Sequence, residues 1–399
     1  RSSDVMLTLP SVHPFLMALL REGQTEKDQL AAFPHHSWET IIEEAIAQRI
    51  AAILFRWLNN LNHQHLIPIH LLNLLTQQMV RQTAWNLLLT KELGRILAAC
   101  QERGIACIPI RGPMFAVQLY GDCSMRRMDD LDLLVHREDL SAIKEIFDRL
   151  GYAPHEQRPG FLEAYSYSLE FIHPRHGVIV EPHWTLVYPP FVATAAMEPV
   201  WARAVRQRLM NIDTWTLSQA DLVLHLCLHL IHKGEHTPLL WYYELDTLIR
   251  RKRSPLDWNV FVQQAQAMGQ AGLIADVLAT LMHHFHSTIP DSTMSRLLGT
   301  AQPTPSIPPH QMRDHMLAQS SLNGREEFAL LCSLRGLRQK IQYVYALLFP
   351  SPEYMAQRYG MSSSMGLTMS YIARACHLSW EGCKWTGAWL VTAVTTRRG

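Results

Sequence analysis

The chain has 399 residues, 48% apolar and 18% charged, the composition of an ordinary folded protein rather than a disordered one, and it is long enough for two or three domains. A formal net charge of +1 lacks the basic excess with which a general nucleic-acid-coating protein neutralises phosphates, so nucleic acid is not an expected partner. Seven cysteines (Cys100, Cys107, Cys123, Cys227, Cys332, Cys376 and Cys383) form no C-x-x-C pair, which argues against a disulfide framework or a zinc ribbon and fits free thiols in a reducing cytoplasm.

The expected fold class is α+β, mostly helical, with a small mixed sheet flanked by helical regions. Region 1–103 is predicted to be helical, because WETIIEEAIAQRIAAILFRWL and NLLTQQMVRQTAWNLLLTKELGRILAAC repeat apolar residues at three and four. Gly104 opens an α/β core spanning 104–190. There 105–110 and 131–136 read as strands, Pro113 to Tyr120 as a short helix, and Glu138 to Leu150 as an amphipathic helix stopped by Gly151. SYSLEFIHP and GVIVEPHW read as two strands of a hairpin turning at Pro174-Arg175-His176-Gly177. Region 191–289 is predicted to be helical, beginning with a capping box at Ser218-Gln219-Ala220-Asp221 and continuing at 238–251, 257–268 (Asp257 as N-cap) and 272–286. Five prolines between Pro290 and His310 predict a linker or surface loop over 290–324, and helices are expected to resume near Arg325 in a C-terminal region, 325–399. No charged-then-apolar leader pattern is present, and the apolar stretch Trp385 to Val394 is too short for a bilayer. A soluble, cytoplasmic protein with no membrane partner is expected.

The chemistry concentrates in Arg111-Gly112-Pro113, Arg126-Arg127-Met128-Asp129-Asp130-Leu131-Asp132 and Glu181-Pro182-His183-Trp184. Strand residues two apart project from one face, about 6.6–7 Å apart along the chain, so Asp130 and Asp132 can share one hard cation or bracket two. Magnesium takes oxygen ligands, usually one or two protein carboxylates plus substrate phosphates. A third carboxylate from a neighbouring strand, here Glu181, completes a two-metal site. The plain alternative is a solvated D-x-D with Asp129 as an N-cap, but the conjunction of strand, glycine turn, arginine pair and later acidic strand favours the metal site.

The stretch 105–184 resembles the uncharacterised nucleotidyltransferase family of the polymerase beta-like superfamily. That family carries a Lys-Gly turn, a Tyr, an Arg shortly before Asp-x-Asp-Leu-Leu-Val, and later Asp/Glu-x-His-Trp. Here these are Arg111-Gly112, Tyr120, Arg127, Asp130-Leu131-Asp132-Leu133-Leu134-Val135 and Glu181-Pro182-His183-Trp184. LSQADLVLHLCLHLIHK, WYYELDTLI, LDW at 256–258 and LFPSPEYMAQRYG at 348–360 continue the likeness in the same order. Three departures stand out. Arg111 replaces the usual lysine and binds phosphate as a planar fork. Glu181 stands where aspartate is more usual. Pro113 replaces a serine, which loses a hydroxyl contact but fits the first helical position and leaves helix-start amides for phosphate.

The resemblance implies catalytic and metal-binding roles for Asp130, Asp132 and Glu181, with Mg2+ or Mn2+ as cofactor. It implies nucleotide contacts from Arg111, Gly112, Arg126 and Arg127, and from His183, His229 and Lys233. His225, His229 and His232 share one helix face. A zinc site, a set of ordinary polar or core histidines, and cleft contacts to phosphate are three readings of them, and no metalloprotease glutamate follows the first histidine. Trp184 and the tryptophans at 241, 258, 380 and 385 read as packing. His283, His284 and His286 read as a helix terminus, where imidazoles suit the dipole.

The expected activity is transfer of a nucleoside monophosphate from a nucleoside triphosphate to an unidentified small-molecule, peptide or phosphorylated acceptor, releasing pyrophosphate. Transfer of a sugar or sugar phosphate from a nucleotide sugar is the related alternative, and a catalytically silent nucleotide-binding protein is the rival. The aspartates are expected to form a solvated, self-repelling cluster, and Arg111 to act mainly on the triphosphate.

Overall fold

A computed structural model describes residues 9–22, 37–60, 63–155, 161–188, 197–209, 212–234, 237–250, 256–299, 331, 334, 336–360, 365–378 and 380. The chain opens with helices α1 (Pro14–Glu22), α2 (Ser37–Ala47), α3 (Ala51–Asn60) and α4 (Ile69–Glu102). At 34 residues, α4 runs about 51 Å. Its buried residues, Leu71, Leu75, Met79, Asn86, Leu89, Glu92, Leu93, Ile96, Leu97 and Cys100, form a stripe that serves two cores in succession. No helix among the described residues is long and apolar enough to cross a membrane.

The α/β core follows as β1 (Cys107–Pro109), α5 (Pro113–Tyr120), β2 (Asp130–Val135), α6 (Leu140–Leu150), β3 (Ala153–Pro154), α7 (Phe161–Tyr165), β4 (Phe171–Ile172) and β5 (Ile179–His183). The strands form one mixed sheet in the order β1-β2-β5-β4-β3. Only β2 and β5 run parallel, with Asp132 opposite Glu181. The 173–178 hairpin forms as expected, with the Gly177 amide donating to the His173 carbonyl at 2.8 Å and the His173 amide to Val178 at 2.9 Å.

Alternation along β2 and β5 divides the sheet. Leu131, Leu133, Val135 and Val180 belong to a core with Leu89, Leu93 and Ile96 of α4 and Ile143, Ile146 and Phe147 of α6. Leu134 belongs instead to the larger core formed with the N-terminal helices and the helices between 219 and 298, and Asp130 and Asp132 share its face. The α6 helix ends at Gly151 in the left-handed conformation, φ 89°, as the glycine stop predicts.

Beyond the sheet come α8 (Glu198–Ala202), β6 (Val205–Leu209), β7 (Ile212–Thr216), α9 (Gln219–Lys233), α10 (Leu239–Arg250), α11 (Trp258–Ala267), α12 (Ala271–Phe285) and α13 (Asp291–Leu298). The antiparallel β6–β7 ribbon interrupts the helical region expected over 191–289. Its sequences VRQRL and IDTWT are too polar to show a strand signature, yet the ribbon docks on the core, where the Thr214 hydroxyl donates to the Cys107 carbonyl at 3.1 Å. The α13 helix corrects the loop expected from Pro290, because proline starts a helix as readily as it interrupts one. Helices α14 (Leu337–Leu348), α15 (Pro352–Tyr359) and α16 (365–378) follow. The proline-rich 300–324, the helix start near Arg325 and the stretch around Trp385 lie outside the described residues. Trp380, read as packing, is 64% exposed. Cys100, Cys107, Cys123, Cys227 and Cys376 are free thiols.

The α9 helix is the centre of the second layer, packed by α10, α11 and α12. Its cap forms as predicted: Ser218 accepts from the Asp221 amide at 3.2 Å. Asp221 is fully buried and receives two hydrogen bonds from Arg203, at 2.9 and 2.6 Å. Removing one partner of such a pair strands a buried charge, which costs about 3–5 kcal/mol. Arg203→Ala is therefore expected to lower the urea-unfolding free energy by about that amount, and a loss below about 1 kcal/mol would show that α9 does not depend on this pair.

Candidate active site

The parallel β2–β5 register sets Asp132 beside Glu181, and His183 projects from the same face two residues further along β5. Ligand atoms of Asp132, Glu181 and His183 all lie within 4.8 Å of one another. His183 Nε2 is 3.0 Å from Asp132 Oδ1 and 3.6 Å from Glu181 Oε2, while Ser168 Oγ reaches Glu181 at 3.5 Å. Asp130 occupies the same face of β2 one strand repeat earlier, outside this tight group but close enough to feel its charge.

Arg111 reaches this group from the end of β1. The Ile110 amide donates to the Asp132 carbonyl at 3.1 Å, extending the β1–β2 ladder by one bond and directing the next residue across the carboxylates. Arg111 Nη2 then pairs with Asp132 Oδ2 at 2.7 Å, both side chains almost wholly buried. Gly112 turns the chain at φ 75°, ψ −143° into α5, a backbone conformation that glycine adopts without strain.

Burial by itself would raise the Asp132 carboxyl, but Arg111 and His183 outweigh it and hold the group well below the usual carboxylate range. Asp130, pushed up by burial and by Asp132, sits at about 6. Glu181, pushed up by the same two causes, sits at about 7. The expected solvated cluster is thereby corrected: Asp132 is buried and paired, and the unrelieved repulsion falls on Asp130 and Glu181. Asp132, Glu181 and His183 lie close enough together to hold a divalent cation, and Asp130 beside them offers a further oxygen ligand.

Behind Arg111 lies a neutral histidine. Burial and then Arg111 press the His229 imidazole far below its ordinary range, and the neutral ring lies between Arg111 Nη1, which approaches Nε2 and is 3.2 Å from Nδ1, and the Tyr188 hydroxyl, 3.1 Å from Nδ1. His232 stacks on Tyr188 at 4.1 Å and is pushed down to about 3, by burial first and then by Lys233. Neither ring nitrogen of His225 has a partner among the described residues. The three helical histidines do not converge on a metal-competent point, since the group found among the described residues is Asp132, Glu181 and His183. Lys233 is exposed on the last turn of α9.

The two neighbouring arginines part company. Arg126 is buried, donates to Glu244 Oε1 at 2.9 Å and lies over the Phe115 ring at 5.5 Å. The Tyr120 hydroxyl donates to the same oxygen at 3.2 Å. Arg127 is 43% exposed and pairs with Asp129 at 3.3 Å. Sequence reasoning passed over the residues that hold this loop. Asn86 Nδ2 donates to the carbonyls of Cys123 and Arg126, both at 2.8 Å. Trp85 Nε1 donates to Met128 at 3.0 Å, and Gln82 Nε2 to Ser124 at 2.8 Å. Three polar-headed residues spaced three and four apart on the α4 face toward the core were the available signal. Glu244, buried inside WYYELDTLI, gave another.

The family model described as uncharacterised nucleotidyltransferase matches residues 34–286. The span takes in the N-terminal helices from α2, the whole sheet and the helices through α12, and it ends before the 348–360 segment. A search of curated proteins found no match.

A carboxyl whose folded pKa lies above its unfolded value keeps a proton that the unfolded chain has released, so its contribution to stability is lost as pH rises through the folded value. For Asp130 and Glu181 that window runs from about 4 to about 7. The double variant Asp130→Asn, Glu181→Gln is expected to match the metal-free parent in thermal midpoint at pH 4.5 and to exceed it at pH 8. A double variant less stable than the parent at pH 8 would contradict this charge balance.

Proposed function

The chain belongs to the uncharacterised nucleotidyltransferase family, and on that premise we propose that it transfers a nucleoside monophosphate from a nucleoside triphosphate to an acceptor oxygen. The observation that carries this reading is the Asp132–Glu181 pair across parallel strands, with Asp130 on the same face and a guanidinium already seated on Asp132. Asp130 and Asp132 would hold two magnesium ions, or manganese in their place, and Glu181 would hold the one nearer the acceptor. When bound, such ions neutralise the triphosphate and make the acceptor hydroxyl more acidic.

The chain's own groups account for the rest. The acceptor oxygen bonds to the α-phosphorus as the bond from that phosphorus to the bridging oxygen breaks, and the electron pair leaves with pyrophosphate. The acceptor's proton passes toward Glu181 and on to solvent. Arg111 provides a planar fork for phosphate oxygens, and His229, uncharged, supports that fork without adding repulsion. Gly112 and the first amides of α5 give the triphosphate a close backbone approach. His183 keeps Asp132 and Glu181 aligned. Arg127 and Lys233 contribute positive charge at the exposed margin, while Arg126, neutralised by Glu244, acts by shaping the loop before Asp130.

The buried Arg111–Asp132 pair decides which variants test this. Arg111→Ala would strand Asp132 and destabilise the protein as well as weaken binding, so Arg111→Lys is the better probe. Loss of the guanidinium fork, worth roughly 1.5–3 kcal/mol, should weaken binding of a non-hydrolysable nucleoside triphosphate with magnesium about tenfold to hundredfold in calorimetry. Asp130→Asn, which relieves repulsion in the metal-free protein, should stay folded and lose pyrophosphate release from all four nucleoside triphosphates. Turnover that persists in Asp130→Asn or in excess chelator, or a wild-type protein that binds no nucleotide with magnesium, would overturn the assignment.

A further inference from the structure

Arg49, between α2 and α3, adopts φ 62°, one of two non-glycine residues with positive φ among those described. The Ile50 amide donates back to the Ala45 carbonyl at 2.8 Å and the Arg49 amide to Ile46 at 3.1 Å. That is the left-handed helix ending at which glycine is the usual occupant, because an L side chain there crowds its own backbone. Strain of this kind persists where the surroundings over-determine it, and it concentrates at ligand-binding sites.

The surroundings here are specific. Gln48 clamps the turn to the start of α10, accepting from the Leu239 amide through Oε1 at 2.9 Å and from the Leu240 amide through its carbonyl at 3.3 Å. The Arg49 side chain passes over the Trp241 indole at 5.7 Å, whose ring lies 4.4 Å from His229, the residue behind Arg111. Arg49 Nη1 reaches Asp129 Oδ2 at 2.6 Å, and Arg127 holds the other oxygen of that carboxylate. Two part-exposed guanidiniums therefore share one carboxylate directly beside Asp130, which leaves a net positive rim.

We propose that Arg49 is a phosphate-binding residue of the cleft, contributed by the N-terminal helical region, which with Arg127 receives a substrate phosphate beside Asp130. The inference rests on the nucleotidyl-transfer reading and extends it, since the resemblance and the sequence motifs assigned Arg49 nothing. The phosphate belongs either to the nucleotide's triphosphate or to a phosphorylated acceptor. The two sources share the same oxygen chemistry and a bidentate fit to arginine.

The deciding variant is Arg49→Gly, because it removes the side chain and relieves the left-handed turn in one change, so folding is preserved. Calorimetric binding of inorganic tripolyphosphate with magnesium reports the nucleotide side. Binding of inorganic phosphate to protein already saturated with a non-hydrolysable nucleoside triphosphate reports the acceptor side. We expect Arg49→Gly to weaken one of the two at least tenfold with its thermal midpoint unchanged or raised, and Arg49→Lys to regain part of the loss. Both affinities unchanged, with a lowered midpoint, would make Arg49 a structural tether to Asp129 and overturn the proposal. Wild-type protein that binds no nucleotide overturns the transferase reading and this one together. Wild-type binding that survives Arg49→Gly intact overturns this one alone.

Discussion

Asp132 and Glu181 face each other because β2 and β5 pair in parallel while their outer neighbours run antiparallel. A one-residue slip of that register would turn Glu181 to the opposite face and bring an apolar neighbour alongside Asp132. What prevents the slip is the far side of the same strands. Leu131, Leu133, Val135 and Val180 are buried against α4 and α6, so any shift would drive apolar side chains out of a packed core. The acidic face is thus held in register by the apolar one.

Charge then organises the second layer. Burying three carboxylates together is costly unless each is paired or protonated, and the protein does both. Arg111 and His183 keep Asp132 ionised, while Asp130 and Glu181 hold their protons toward neutrality. Arg111 in turn needs a partner that accepts without competing for positive charge, which a buried neutral imidazole provides. That explains why the heavily buried α9 presents His229 at this point, between Arg111 and the Tyr188 hydroxyl. Arg126, Glu244 and Tyr120 repeat the pattern one layer away and anchor the loop from which β2 starts.

The sequence made the strands, the glycine turn and the D-x-D and E-x-H pairs legible, because each is a local pattern of periodicity or spacing. It concealed what depends on distant partners. Arg126 read as a nucleotide contact since Glu244 lies 118 residues away, and Asp132 read as solvated since neither Arg111 nor His183 adjoins it in the chain. The β6–β7 ribbon was hidden by its polar residues, and α13 by a proline that starts it. Trp241 read as packing, and it does pack, yet the groups it packs against are His229, behind Arg111, and Arg49. Arg49 itself carried no local signal, because its left-handed turn appears only once the chain is folded.

Whether the β2–β5 carboxylates form a metal site serving a nucleotide is settled by a crystal soaked with manganese and a non-hydrolysable nucleoside triphosphate. An anomalous peak is expected between Asp132 and Glu181, with phosphate oxygens beside it and Arg111 turned from Asp132 toward them. Nucleotide bound elsewhere, or manganese bound away from these carboxylates while Arg111 stays on Asp132, would contradict the metal site.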